Sequence, residues 1–158
     1  MGDCVFCDIL VGTRPASVVY LDEVCCAFMD IQPVNPGHTL VVPLEHCSSL
    51  SELSPETGSH LFAVGQRLAA ALYSSGAVGQ SIRCEGVNLF LADGPAAGQD
   101  VFHVHLHVIP RYTGDGFGFR FGPGYAQRPP RSELDRLAGE ILAGLGDDLA
   151  QASEGGAG

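Results

Sequence analysis

The chain has 158 residues, 46% of them hydrophobic and 16% charged, a balance that fits one globular domain with a single core and excludes a disordered chain. Its net charge is −10 and all eight basic residues are arginine, which argues against binding a nucleic acid polymer through a basic patch. No apolar run approaches the roughly 20 residues of a bilayer span, and no charged-then-apolar leader opens the chain, so a cytoplasmic protein with no membrane partner is expected. Six cysteines are even in number, but without an export signal a disulfide framework is not expected. Cys25, Cys26, Cys47 and Cys84 stand in apolar or strand-like surroundings and read as small core residues.

In chain order, Phe6 to Val11 reads as a short helix stopped by Gly12 and Pro15. Val18 to Leu21 and Cys25 to Asp30 read as a strand pair across the turn Asp22-Glu23. Asn35-Pro36-Gly37 is a turn signal before a strand from His38 to Val42, ended by Pro43. Ser54-Pro55-Glu56 is a helix start, with a Ser cap, Pro at the first position and a carboxylate at the positive dipole end. That helix should run to about Tyr73, before Gly76, with Leu61, Val64, Leu68, Ala71 and Leu72 inward and His60 in solvent. Ser81 to Leu91 reads as a strand, Asp93 to Gly98 as a loop and Val101 to Arg111 as a further strand, antiparallel to the one before. Gly114 to Tyr125 alternates Gly with Phe117, Phe119, Phe121 and Tyr125; it reads as an irregular loop, or else as an aromatic flap with Arg120 reaching a phosphate. Ser132 should cap a last helix, Glu133 to about Leu145. A single domain over 1–145 and a disordered, acidic, Gly-rich tail over 146–158 complete the expected organisation.

Chemistry concentrates at two places. Cys4-Val5-Phe6-Cys7 is a Cys-x-x-Cys pair, the usual half of a tetrahedral zinc site; its rivals are a redox motif, disfavoured because no βαβ context follows, and two unpaired core thiols. With no second pair, histidines must complete the shell. His103, His105 and His107 stand at every second position, so on a strand all three project from one face while Val104, Leu106 and Val108 fill the other. Neighbours in that row are about 6.6 Å apart and the outer two about 13 Å, against a Zn–N bond near 2 Å. At most two share a metal, with His38, His46 and His60 as further candidates. At least one triad imidazole is left for chemistry. A neutral ring can displace a group from phosphorus and form a phosphoramidate that water hydrolyses, provided its second nitrogen is held by an acceptor. His105, flanked on both sides, is the expected nucleophile.

These residues resemble the histidine-triad (HIT) superfamily of nucleotide hydrolases and transferases. His103-Val104-His105-Leu106-His107-Val108-Ile109 fits its His-φ-His-φ-His-φ-φ signature, with φ apolar. The likeness runs from Cys4 to Arg111 through Phe28-Met29-Asp30-Ile31, Pro36-Gly37-His38-Thr39-Leu40-Val41-Val42-Pro43 and Gly94-Pro95-Ala96-Ala97-Gly98-Gln99. It implies an α+β fold, with a roughly five-stranded antiparallel sheet, one long helix and a C-terminal helix, usually in a homodimer. It implies that His105 attacks the α-phosphate of a purine nucleotide conjugate or dinucleoside polyphosphate, with His107 and His38 orienting it. It also implies a structural Zn2+ on Cys4, Cys7, His46 and His103, the last being a triad member as well. Asp30 would take the ribose hydroxyls, and Phe6, Ile9, Phe28 and Ile31 the base. Gln99 and Asp100 complete the expected nucleotide-contacting set.

Two positions depart from the family pattern. Ala92 stands eleven residues before His103, where Asn or Gln is common near the phosphate, and Asp100 stands where many members carry Ser or Thr. An ionised Asp100 would repel phosphate, whereas a protonated one would serve as a general acid. These departures prompt an alternative, a nucleotide-binding or sensing module with little turnover. Phosphorolytic cleavage is a further alternative, and Pro110-Arg111-Tyr112-Thr113-Gly114-Asp115 and Gly94-Pro95 resemble branches acting on diadenosine polyphosphates. Catalytic zinc is disfavoured, because a shell of four protein ligands leaves no open position.

Overall fold

The structure, a computed structural model, describes residues 4–76 and 81–145. The expected tail over 146–158 lies outside the described residues. Beside the single domain expected over 1–145, the described residues group into two compact units, one through Phe117 and one from Gly118.

The first unit holds helix α1 (Val5–Leu10), strands β1 (Val18–Leu21), β2 (Cys25–Met29) and β3 (Thr39–Pro43), the long helix α2 (Pro55–Gly76), and strands β4 (Gly86–Leu91) and β5 (Leu106–Arg111). The five strands form one sheet in the order β1-β2-β3-β5-β4, every pair antiparallel. With the C-terminal helix α3 (Arg131–Leu145) in the second unit, this is the α+β class and element content that the resemblance implies.

Strand alternation sorts the core into two faces. Cys25, Ala27, Val41, Val104, Leu106 and Val108 pack with Leu61, Val64 and Leu72 of α2. Cys26, Phe28, Leu40 and Val42 look the other way and pack with Phe6 of α1. Both faces of β2 and β3 are covered, which is why these strands are continuous apolar runs. At α2, the Thr57 amide donates to Ser54 Oγ at 3.1 Å, the side-chain cap expected from the sequence. Gly65 brings α2 against β5: a Cβ there would lie 2.8 Å from Leu106 Cδ2.

Several boundaries differ from the sequence reading. Helix α2 continues to Gly76, and Ala71 is exposed while Ala69 packs on the core, because the inward stripe drifts around the helix. Strand β4 starts at Gly86, not Ser81. Strand β5 starts at Leu106, so His103 and His105 precede it: the Val104 amide bonds the Cys47 carbonyl at 2.7 Å instead of joining the ladder with β3. Side-chain alternation nevertheless holds through this irregular stretch, since Val104 and Leu106 are in the α2-side core. His60 is not in open solvent; its Nε2 lies 2.7 Å from Asp22 Oδ2 at the β1–β2 turn. Ser132 lies inside α3 and does not cap it, because the Pro130 carbonyl accepts the first amides, from Glu133 at 3.1 Å and Leu134 at 3.3 Å. Gly114 to Tyr125 is irregular, with the Phe121 and Tyr125 rings stacked at 3.8 Å.

Candidate functional site

The N-terminal segment and the start of the triad meet at a cluster of four soft donors. One donor atom each from Cys4, Cys7, His46 and His103 lies within 4.8 Å of the others. Cys4 Sγ is 3.5 Å and Cys7 Sγ 3.7 Å from His103 Nδ1, and Cys7 Sγ is 3.3 Å from His46 Nδ1. A tetrahedron with Zn–S of 2.3 Å and Zn–N near 2.05 Å has S···N edges of about 3.6 Å, so these separations fit a zinc shell. The far nitrogen of His103, Nε2, lies 3.0 Å from the Pro43 carbonyl; Nε2 therefore carries the proton and Nδ1 is left bare for a metal. Burial of His103 lowers its pKa and favours the same neutral form. A second cluster, Asp22, Cys25 and His60, is a poorer match: its Asp22–His60 and Asp22–Tyr20 separations of 2.7 Å are those of direct hydrogen bonds.

Beside this cluster a cavity of about 430 Å³ opens on the α1 side of the sheet. Phe6, Ile9 and Phe28 form apolar wall, and Ile31 stands at its rim, almost fully exposed. Asp30, Gln32, Asp100, His38, His105 and His107 supply the polar lining, with no arginine among the lining residues. Phe6 meets Phe28 edge-on at 5.5 Å and His105 at 5.3 Å, tying the apolar wall to the triad. Asp30 caps its own turn, its Oδ1 accepting the Gln32 amide at 2.8 Å.

Hydrogen bonds assign the imidazole protons. His105 Nδ1 lies 2.7 Å from the His103 carbonyl, which only accepts, so Nδ1 carries the proton and Nε2 is bare. The Val34 amide only donates, at 3.2 Å, so His38 Nδ1 accepts and His38 Nε2 carries the proton. That Nε2–H donates to His107 Nδ1 at 2.9 Å, which leaves the His107 proton on Nε2. Burial, and next the neighbouring His105 and His38, push the His107 pKa down to about 4. Burial also lowers that of His38, against the pull of Asp30, whose Oδ2 is 3.5 Å away. The site thus offers one bare nitrogen and one N–H donor on adjacent rings, their centroids 4.8 Å apart.

Most of the residues singled out in the sequence come together here, in two groups. His103 belongs with the metal donors and does not line the cavity. Gln99 does not line it either: its Oε1 accepts the Gly94 amide and its Nε2 donates to the Ser48 and Val101 carbonyls, so the side chain braces the loop before the triad. Ala92 is buried and outside the lining, whereas Asp100 is exposed within it. Sequence reasoning missed Val34, whose amide sets the His38 tautomer, and Leu40 and Val101 in the cavity wall. Only the Asn35-Pro36-Gly37 turn signal next to Val34 pointed at that loop.

The HIT domain family matches residues 11–114. A zinc-bound histidine triad family protein from Mycobacterium smegmatis is 43% identical, with a TM-score of 0.68 over 90% of this chain and 95% of its own. A histidine triad nucleotide-binding protein from Candida albicans is 27% identical, with a TM-score of 0.77 over 90% of this chain and 97% of its own. The adenylylsulfatase HINT3 of Arabidopsis thaliana is 34% identical over 72% of this chain and 54% of its own length. The chain belongs to the histidine-triad family and carries a Cys-x-x-Cys pair at Cys4 and Cys7.

Proposed function

We propose that the protein is a nucleotide hydrolase or nucleotidyl transferase acting at the α-phosphate of a purine nucleotide conjugate or dinucleoside polyphosphate. The observation that carries this reading is the His105 Nδ1–H bond to the His103 carbonyl, which leaves Nε2 bare toward the cavity. The base lies against Phe6, Ile9, Phe28 and Ile31, and Asp30 takes the ribose hydroxyls. His105 Nε2 forms a bond to the α-phosphorus while the bond from phosphorus to the leaving group breaks. His107 Nε2–H donates a hydrogen bond to the phosphoryl oxygens, and the departing atom leaves with the electron pair and takes a proton from solvent. Water then adds to phosphorus and returns a proton to solvent, the P–N bond breaks, and the nucleoside monophosphate departs from a neutral His105. The adenylylsulfatase relative supports the α-phosphate as the target, and the nucleotide-binding neighbour supports the ligand class.

Cys4, Cys7, His46 and His103 would hold zinc, which in a closed four-ligand shell supplies a structural cross-link between the N-terminal segment and the sheet. A homodimer is part of the proposal: β4 is an edge strand, and Phe90 on it and Phe62 and Tyr73 on α2 are exposed. No helix among the described residues is long and apolar enough to cross a membrane. The alternative of a binding module with little turnover rests on Asp100, a carboxylate in the cavity lining. His105→Gly on an adenosine phosphoramidate separates the two: at least about a 10³-fold loss of kcat is expected for a covalent nucleophile. Wild-type-like turnover by His105→Gly overturns the proposal, and tight AMP binding by a wild type without turnover favours the module.

A further inference from the structure

The stretch Pro110-Arg111-Tyr112-Thr113-Gly114-Asp115 follows the triad and takes no part in the chemistry above. It builds a partly buried polar knot. The Asp115 side chain, 3% exposed, accepts from Arg111 Nε at 2.6 Å and Nη2 at 2.8 Å. It also accepts from Asn35 Nδ2 at 2.9 Å, the Phe117 amide at 3.1 Å and the Tyr112 amide at 3.3 Å. Gly114 has φ of 83°, which turns the chain back so that Asp115 faces Arg111. Arg111 Nη1 in turn bonds Asn88 Oδ1 on β4. The Asn35 Nδ2 that reaches Asp115 also donates to the Pro110 carbonyl at 2.9 Å, three residues past His107.

Asn35 belongs to the β2–β3 loop that sets the far end of the imidazole chain. Its carbonyl accepts the His38 amide at 3.0 Å, and Val34 before it donates to His38 Nδ1. The loop's neck closes separately, through the Asp30 amide and the His38 carbonyl at 3.0 Å, so Asp30 is held without Asn35. The β3–β5 ladder pairs Thr39 with Val108 and Leu40 with His107, but it leaves the Val34–Asn35 tip unpaired. Among the described residues, the Asn35 amide ties that tip to β5 and the segment after it.

We infer that Asn35, Arg111 and Asp115 form a latch of positioning residues that fixes the β2–β3 loop tip against the end of β5, keeping His38 in register with His107 and the His107 proton on Nε2. The latch rests on the catalytic reading of His105 and His107 for its effect on rate. Its geometric part, the His38–His107 tautomer chain, stands in the ligand-free protein. Loosening the tip moves the Val34 amide from His38 Nδ1, and both rings then exchange tautomers. A donor displaced by an ångström lowers a positioned reaction by about 10²-fold.

The test compares Asn35→Ala and Asp115→Asn with Val64→Ala, a core change on the α2 side with a comparable loss of thermal stability. Three quantities are read in each: the single-turnover rate of adenylyl transfer to His105, the AMP Kd, and the ring 15N shifts of His107 without ligand. Asn35→Ala is expected to slow transfer about 10- to 100-fold and leave the AMP Kd within about threefold, because Asp30 and the Phe6, Ile9 and Phe28 wall of the base slot are held apart from it. Its His107 nitrogens should move from one fixed tautomer to averaged shifts, while Val64→Ala keeps the wild-type rate and shifts. Should Asn35→Ala fail to fold, Asp115→Asn carries the same comparison. A destabilised variant with wild-type rate and a fixed His107 tautomer overturns the latch. A wild type that transfers no adenylyl group sinks the catalytic reading instead, and the 15N comparison still decides the latch.

Discussion

The His103 backbone and side chain serve two neighbours, a carbonyl for His105 and a ring nitrogen for the metal donors. Such double use is why the triad members are not interchangeable. The lowered His107 pKa gives a pH prediction with a definite sign. An unfolded histidine binds its proton near 6.5 and the folded His107 only near 4, so the unfolded chain binds more protons between those values. Stability from keeping this ring neutral is therefore full above pH 6.5 and is lost as pH falls toward 4, on the order of 3 kcal/mol at most. Denaturant melts from pH 8 to 4 should show this loss, and His107→Gln should flatten it; an equal slope in both proteins contradicts the assignment. Asp100 gives a second prediction: Asp100→Ser should raise turnover on nucleoside phosphoramidates or adenylates, and unchanged or slower turnover counts against phosphate repulsion. Residue types carried most of this site into view, since three imidazoles at period two have no packing explanation. Gln99 was misplaced because sequence adjacency to the triad says nothing of direction, and its amide turns inward to Ser48 and Val101.

Among the elements, β2, β3 and α2 were legible because each carries a strong local signal: continuous apolar runs, or a Ser-Pro-Glu start with helical period. The start of β5 was not, because Val101 to His105 has the strand's alternation but gives its amides to Cys47 and Val101. The close approach of α2 to β5 at Gly65 was also hidden, since one glycine within a helix is locally only a weak point. Gly65→Ala should destabilise the fold by about 1–3 kcal/mol through the clash with Leu106, despite Ala's better helix propensity. A neutral or raised Tm would show that the helix can shift freely. For α1, the metal donors flank Phe6, whose ring touches both His103 and His105. Chelation should lower Tm, raise amide exchange over residues 5–10 and weaken AMP binding together. Activity lost with Tm and exchange unchanged would indicate a catalytic metal instead.

For the whole molecule, composition and charge narrowed the possibilities before any motif was considered: a core-forming, acidic chain with arginine as its only strong base. The sheet order β1-β2-β3-β5-β4 lay beyond composition, because placing β5 between β3 and β4 is a long-range choice made by packing against α2. That order sets β5 beside β3, which brings His107 to His38 and the triad to the α1 wall across the middle of the sheet. The division at Phe117 was not visible either, since the Gly- and Phe-rich stretch carries no sharp boundary signal. Rapid mixing with an adenylate labelled at its α-phosphate, quenched in alkali and mapped by peptide mass, tests the catalytic claim most directly. A transient, acid-labile adenylyl group on His105, formed at least as fast as product is released, is the expected result. Full product formation with no such adduct, or an adduct on another residue, would contradict it.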